Sequence, residues 1–301
     1  MHTIRSDRPL PALTYRAVRY VHDACNALGI DYVIVGASAR DILLTHVFGI
    51  PLLRATRDVD VAVSVSDWPT FELIMSWLVE RRTGWSRSST KRHQLLYRDT
   101  SMTDSVPLLD VVPFGGIEDE NPPRTIAWPP DRTTIMNVAG FAEALRAATR
   151  VQVADDFVVP VASIPGLVVL KVFAWAERHT VNAKDADDLL ALLRTYADAG
   201  NLDRLYTGDM SIMEACDYNP ELAGAYLLGM DVATMTGAAT RTRMLDTLRD
   251  GRIRDSLILD MARSRTRIGP VEDDTLTTVD TMLAQFVAGL GWDGSVDPED
   301  H

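Results

Sequence analysis

The chain has 301 residues, of which 47% are hydrophobic and 24% are charged, and this composition excludes disordered and fibrous proteins. Its net charge of −12 argues against a protein that coats DNA with its whole surface, although a local basic patch or bound cations could still hold nucleic acid or a triphosphate. Its two cysteines, Cys25 and Cys216, argue against a disulfide framework and a cysteine-based zinc site. The N-terminal residues lack an unbroken apolar core and no apolar stretch is long enough to span a bilayer, so we expect a cytoplasmic protein with no membrane partner.

Hydrophobic periodicity predicts a mixed α/β arrangement for the first half of the chain. A helix with apolar residues at helical spacing ends at Gly29, and a buried strand follows that turns at Gly36 into a second helix. Apolar runs and polar–apolar alternation predict the later strands. The predicted segments are strands at residues 31–35, 58–63, 92–98, 106–112 and 151–161, helices at residues 18–28, 36–44 and 71–78, and a polar, proline-rich loop at residues 118–130.

The pattern changes near residue 160. From residue 163 onward almost every segment has helical character. We therefore expect an α+β chain with two domains, a mixed-sheet domain at residues 1–160 followed by a mainly helical domain at residues 161–301.

The strand at residues 58–63 carries the strongest chemical signal, Asp58-Val-Asp60. Side chains two positions apart on a strand face the same way, so both carboxylates point at one spot. Two carboxylates held that close repel each other unless a cation neutralises them, and hard oxygen ligands suit Mg²⁺. Taken alone, the Asp-x-Asp pattern would also fit an edge strand whose two acids only face solvent.

A third acid strengthens the interpretation as a metal site. Asp110 lies inside the apolar run at residues 108–112, and an acid there is costly to bury unless it is paired with a cation. Three acids on neighbouring strands would hold two metal ions, one on a nucleophilic oxygen and one on a triphosphate.

Lys171 lies on a helix face that is otherwise mostly apolar, beside Leu167, Leu170 and Ala174. Lysine often snorkels to the surface from such a face, but we favour a phosphate or an aspartate as its partner. Asp185 lies similarly at the edge of a leucine stripe, where the alternative is an acid that favours a helix N-terminus.

A basic segment at residues 81–98 stands out in this acidic chain. It holds no acid, and Trp85 and Tyr97 are interleaved with its charges. A solvated positive face is the usual meaning of such a run, and a docking surface for an RNA backbone is the competing hypothesis. Its six candidate RNA-binding residues are Arg81, Arg82, Arg87, Lys91, Arg92 and Arg98.

Several short motifs follow one another along the chain. The first is a strand–turn–helix whose backbone amides could cradle a phosphate. The motifs are Gly36-Ala-Ser-Ala-Arg40, Gly49-Ile-Pro51, Arg54, Thr56, Asp58-Val-Asp60, Asp110, Lys171 and Lys184-Asp185-x-x-Asp188. Together they resemble the DNA polymerase β-type nucleotidyltransferases, and within that superfamily they are most similar to the AbiEii/AbiGii, or MenT-like, toxin branch. Ala37 stands where these proteins usually have Gly or Ser, so a phosphate-binding hydroxyl would come from Ser38 or be absent.

The resemblance implies a nucleotidyltransferase domain at residues 1–160 and a helical domain that contributes two catalytic residues, Lys171 and Asp185. Lys171 would neutralise charge on the transferred phosphoryl group. The implied ligands of two Mg²⁺ ions, with Mn²⁺ as the alternative ion, are Asp58, Asp60 and Asp110, and Asp110 would also help to deprotonate the acceptor hydroxyl. The implied nucleotide-binding residues are Gly36, Ser38, Arg40 and Thr56.

The resemblance also implies a biological role. It suggests the toxin of a toxin–antitoxin or phage-defence pair, which transfers a nucleotide from a nucleoside triphosphate to the 3′ end of tRNA and blocks translation. A cognate antitoxin protein would be its partner. Two alternatives compete with this hypothesis: a nucleotidyltransferase that acts on a small-molecule hydroxyl such as an antibiotic, and a catalytically silent binding module on the same fold.

Overall fold

A computed structural model describes residues 1–52, 56, 58–80, 84–99, 106–207, 210–263 and 273–291. The chain divides into two compact units, Met1–Ser163 and Ile164–His301. An eight-stranded mixed sheet forms the centre of the first unit, and the described residues of the second unit form helices. The expected fold class, a mixed-sheet part followed by a mainly helical part, is confirmed.

Ten strands are described in the first unit. They are β1 (His2–Thr3), β2 (Tyr32–Val35), β3 (Val59–Val65), β4 (Trp85–Arg87), β5 (Gln94–Tyr97), β6 (Val106–Gly115), β7 (Thr125–Ala127), β8 (Ile135–Asn137), β9 (Thr149–Ala154) and β10 (Phe157–Val161). The main sheet has the order β1-β9-β10-β2-β3-β6-β5-β4, and β7 pairs with β8 separately. The pairs β3–β6, β2–β10 and β1–β9 are parallel, whereas the other pairs of the main sheet are antiparallel.

Four helices accompany this sheet: α1 (Ala12–Leu28), α2 (Gly36–Asp41), α3 (Trp68–Glu80) and α4 (Phe141–Arg146). A π-type segment, Ile42–Val47, continues directly from α2. Helix α1 ends as the sequence predicts, because Gly29 adopts the left-handed conformation (φ 65°) that caps a helix. The helices α1 and α3 contact each other and the sheet, and the hydroxyl of Tyr20 donates to the carbonyl of Leu78 at 2.8 Å.

The observed strands differ from the predicted ones in several places, and β1, β4 and β8 were not predicted. The predicted strand at residues 151–161 is a hairpin of β9 and β10, because the polar pair Asp155-Asp156 turns the chain between two apolar runs. The predicted loop at residues 118–130 contains β7, whose three residues are all buried and paired with β8. Strand β6 continues past residue 112 to Gly115, along the parallel partner β3.

The second unit contains eight described α-helices and a π-type segment, Ala197–Asn201. The α-helices are α5 (Ile164–Arg178), α6 (Lys184–Thr195), α7 (Leu202–Thr207), α8 (Ser211–Ala215), α9 (Pro220–Met235), α10 (Ala238–Arg249), α11 (Gly251–Ala262) and α12 (Asp273–Leu290). Helices α9 and α12 approach so closely that a Cβ atom on Gly289 would lie 2.0 Å from the carbonyl oxygen of Tyr226. Glycine therefore permits this packing. Within the described part of the chain, no helix combines the length and apolarity needed to cross a membrane.

Candidate active site

Three carboxylates converge where β3 and β6 run side by side. Asp60 pairs directly with Asp110 in the parallel register, and Asp58 immediately precedes β3. The three half-buried acids each offer one oxygen atom, and these oxygens lie within 4.8 Å of one another. The period of two along β3 and the parallel register of β6 together build this cluster.

A glycine turn lies against the carboxylate of Asp60. Val35, the last residue of β2, pairs with Asp60, and Gly36 then adopts a φ of 65°. A Cβ atom at Gly36 would lie 2.1 Å from Oδ2 of Asp60, so this close approach requires glycine. Ser38 secures the same turn, because its hydroxyl donates to the carbonyl of Val35 at 2.9 Å and accepts from the amide of Asp60 at 3.2 Å.

Two side chains orient the other acids of the cluster. The hydroxyl of Thr56 donates to Oδ1 of Asp58. Nε2 of Gln94 donates to Oδ1 of Asp110 at 2.9 Å, and Gln94 lies opposite Asp110 in the antiparallel register of β5 and β6. Gln94 is buried and was not among the predicted site residues.

The electrostatics of the cluster fit a divalent cation. Two unit charges about 5 Å apart repel by about 3 kcal/mol at an effective dielectric constant of about 20, and three acids make three such pairs. His93 does not supply the missing charge: burial lowers its pKa, and the opposing effect of Asp110 is smaller, so it is neutral at pH 7. Three closely spaced carboxylate oxygens are the hard donor set that Mg²⁺ and Mn²⁺ favour.

The side chains that the resemblance assigns to nucleotide binding are held by contacts within the protein. The hydroxyls of Ser38 and Thr56 hydrogen-bond to Asp60 and Asp58, and the guanidinium of Arg40 is buried against Asp41, 2.6 Å from its Oδ1. These side chains therefore make internal contacts, and their role in nucleotide binding stays a prediction. Arg54, another residue of the motif, lies outside the described residues.

The described part of the basic segment, residues 84–98, contains the hairpin of β4 and β5 at one edge of the sheet. Lys91, Arg92 and Arg98 are exposed there, whereas exposed Arg87 pairs with Glu72 of α3 at 2.7 Å. Arg81 and Arg82 lie outside the described residues.

The two aromatic residues of this segment belong to the core. Trp85 pairs with Tyr97 across the hairpin, their ring centroids are 5.1 Å apart, and both side chains are buried. Both rings therefore fill the hydrophobic core, and their burial argues against stacking on an acceptor base.

The helical unit holds a buried ion cluster of its own. Nζ of Lys171, on α5, donates to Oδ1 of Asp185 at 2.9 Å and to Oδ2 of Asp188 at 2.5 Å. Nε of Arg178 donates to Oδ2 of Asp185 at 2.7 Å. Lys171 is 8% exposed, which excludes the snorkelling interpretation. The sequence predicts either a phosphate or an aspartate as the partner of Lys171, and the structure shows two aspartates.

We expect the substitution Gln94→Met to weaken metal binding about tenfold. Methionine keeps the length of the side chain but removes the donor that orients Asp110, and groups behind a metal ligand contribute this much to affinity. Mn²⁺ titration followed by electron paramagnetic resonance measures the effect. Gln152→Met, on β9, is the matched control, and equal affinities in both variants would show that Gln94 does not orient a metal ligand.

Comparison with known proteins gives weak likenesses to solved structures, and two of these follow. No protein-family model matches the chain, and no curated protein matches it. The chain is similar to an antigenic nucleotidyltransferase-like protein from Paracoccidioides brasiliensis, with 17% identity and a TM-score of 0.40 over 72% of this chain and 95% of that one. It is also similar to the Thermotoga maritima CCA-adding enzyme in complex with tRNA, with 11% identity and a TM-score of 0.24 over 95% of this chain and 81% of that one.

Proposed function

We propose that the mixed-sheet unit is a metal-dependent nucleotidyltransferase. The observation that carries the proposal is the convergence of Asp58, Asp60 and Asp110, whose oxygens lie within 4.8 Å of one another. The turn at Gly36 packs against Asp60 and places the first turn of α2 next to these acids. Repulsion between the carboxylates destabilises the folded state, and a function that requires a bound cation explains why the three acids are nevertheless placed together.

The reaction transfers a nucleoside monophosphate. A hydroxyl oxygen of the acceptor bonds to the α-phosphorus of a nucleoside triphosphate, the bond from that phosphorus to the bridging oxygen breaks, and pyrophosphate leaves. Asp58 and Asp60 would hold both cations, and Asp110 would hold one of them. Bound cations supply charge neutralisation for the phosphates and acidify the attacking hydroxyl. Asp110, oriented by Gln94, is the proposed acceptor for the hydroxyl proton.

The triphosphate would lie against the turn at Gly36. Helix α2 begins at this glycine, so its first backbone amides would be the donors to a phosphate oxygen, and the internal hydrogen bonds of Ser38 keep the turn in shape. The catalytic role that the resemblance implies for Lys171 and Asp185 stays a prediction, which is tested below.

We propose an RNA acceptor, and specifically the 3′ end of tRNA. The exposed side chains of Lys91, Arg92 and Arg98 on the edge hairpin support a surface for an RNA backbone. The resemblance of the motifs to the AbiEii/AbiGii branch favours the tRNA end, a toxin role and a cognate antitoxin as protein partner. A small-molecule acceptor is the alternative outcome of the experiments that follow.

Pyrophosphate release tests the proposal directly. The protein is incubated with each nucleoside triphosphate and Mg²⁺ or Mn²⁺, with total RNA, with purified tRNA, or with a panel of small hydroxyl compounds. We expect release that requires both the cation and tRNA. Release with small compounds but not with RNA would identify the alternative acceptor class, and no release with any acceptor would contradict the proposal.

Removing three exposed charges of the hairpin should flatten the salt dependence of RNA binding. We measure the slope of the logarithm of the binding constant against the logarithm of the salt concentration. In the variant Lys91→Gln/Arg92→Gln/Arg98→Gln, this slope should become shallower by about 0.7–0.9 for each RNA phosphate that is no longer neutralised, because every neutralised phosphate releases counterions. Filter binding of tRNA across a salt series measures the slope. Binding of the triphosphate should change little.

A control triple with the same change in net charge uses exposed arginines elsewhere, Arg146→Gln/Arg249→Gln/Arg252→Gln. It should keep the wild-type slope. Equal slopes in wild type and the hairpin variant would mean that the hairpin is only a solvated positive face.

A further inference from the structure

A buried ion pair is linked by hydrogen bonds to one of the candidate metal ligands. Arg40 and Asp41 are consecutive residues of α2, and they are only 5% and 8% exposed. Nε and Nη2 of Arg40 both donate to Oδ1 of Asp41, at 2.9 and 2.6 Å. This planar, charge-assisted fork fixes the orientation of the Asp41 carboxylate.

The second oxygen of Asp41 holds the residue that contacts a metal ligand. The backbone amide of Thr56 donates to Oδ2 of Asp41 at 2.8 Å. The hydroxyl of the same threonine donates to Oδ1 of Asp58. A series of hydrogen bonds therefore leads from the guanidinium of Arg40, through Asp41 and Thr56, to a carboxylate of the metal cluster.

We propose that Arg40 and Asp41 are positioning residues, which hold Thr56 and through it keep the carboxylate of Asp58 turned toward a divalent cation. The proposal rests on the proposed function, because it requires that Asp58 binds a cation. It gives Arg40 a role other than phosphate contact, since two of its donors already serve Asp41. Hydrogen-bonded groups behind a ligand commonly set its orientation and its affinity for the metal.

Binding of Mn²⁺ alone tests the link from Thr56 to Asp58, because without nucleotide no phosphate contact contributes. Thr56→Val removes the hydroxyl but keeps the shape and the backbone amide, and we expect it to weaken Mn²⁺ binding at least tenfold. Thr56→Ser keeps a hydroxyl and should restore affinity to within about threefold of wild type. Thr45→Val is the matched control, since the hydroxyl of Thr45 donates to the carbonyl of Ile50, and its affinity should not change.

Amide hydrogen exchange tests the link from Asp41 to Thr56 without any metal. In Asp41→Asn the side chain has one acceptor oxygen, which cannot serve both Arg40 and Thr56 in the native arrangement. Exchange at the amide of Thr56 should become at least tenfold faster, while exchange within β3 should stay at the wild-type rate. Thermal unfolding of the same sample shows whether the variant is folded, and Arg40→Lys, which keeps the charge but loses the planar fork, should show the same effect on a smaller scale.

Failure of the positioning role can be distinguished from failure of the proposed function. Equal Mn²⁺ affinity in wild type and Thr56→Val would overturn the positioning role and leave the nucleotidyltransferase proposal standing. Wild-type exchange at Thr56 in Asp41→Asn would also overturn it, because Asp41 would then not hold that residue. If the wild-type protein bound no Mn²⁺ and released no pyrophosphate, both proposals would fall together.

Discussion

The substitution Asp60→Asn should reduce nucleotide transfer by at least about a thousandfold, because losing one carboxylate of the metal cluster costs several kcal/mol of transition-state stabilisation. The metal-free variant should be at least as stable as wild type. A neutral amide at this position would relieve the repulsion between three acids whose oxygens lie within 4.8 Å of one another. Pyrophosphate release measures the first effect, and urea unfolding with a chelator present measures the second.

Asp156→Asn is the control, since it makes the same change in charge at an exposed turn. It should leave both activity and stability close to wild type. Near-normal activity of Asp60→Asn with Mg²⁺ would show that the cluster is not the metal site, and a large loss of stability would show that Asp60 has a structural role.

The substitution Lys171→Met should lower the free energy of unfolding by about 3–5 kcal/mol, because it removes one partner of a buried ion cluster. Adding Asp188→Asn should recover part of the loss, since the double variant removes one of the carboxylates that Lys171 contacts. Urea unfolding of the single and double variants measures the interaction free energy between Lys171 and Asp188. A loss below about 1 kcal/mol would be the behaviour of a solvated lysine.

The stability lost in Lys171→Met should depend on pH in a direction that the pKa of Asp185 determines. Burial raises the pKa of Asp185, but the positive charges of Lys171 and Arg178 outweigh burial and hold its pKa below the ordinary value. A carboxylate whose pKa is lowered by folding stabilises the folded state above about pH 4. This contribution disappears as the pH falls through the pKa that the carboxylate has in the folded protein. The difference in stability between wild type and Lys171→Met should therefore be largest near neutral pH and shrink on acidification.

Activity of Lys171→Met tests the role that the resemblance implies. At a temperature where the variant is folded, turnover should fall far more than affinity for the triphosphate, as expected of a charge that acts mainly in the transition state. Unchanged turnover in a folded variant would make the cluster purely structural.

Part of the carboxylate cluster was predictable from the sequence because the spacing of Asp58 and Asp60 is local, whereas the pairing of Asp60 with Asp110 depends on the register between β3 and β6. Alternation along a strand puts Asp58 and Asp60 on one face, and an acid in the apolar run around Asp110 signals a charged partner. The position of Gln94 was not predictable, because it depends on the register between β5 and β6, which shifts between Leu95 and Leu96.

Two further features lay beyond sequence reasoning for different reasons. Neighbouring residues on a helix do not normally face each other, so nothing in the sequence indicated that Arg40 would turn onto Asp41. Aromatic residues in a basic segment suit either base stacking or a hydrophobic core. Only the pairing of Trp85 with Tyr97 across the hairpin decides for the core.

The most direct test of the central claim follows the two ends of the triphosphate separately. The protein, Mg²⁺ and tRNA are incubated with a nucleoside triphosphate labelled at the α-phosphate and, in parallel, with one labelled at the γ-phosphate, each with wild type and Asp60→Asn. A nucleotidyltransferase attaches the α-label to the acceptor and releases the γ-label as pyrophosphate, and Asp60→Asn should do neither. Appearance of the γ-label on the acceptor, or equal transfer of the α-label by both proteins, would contradict the account.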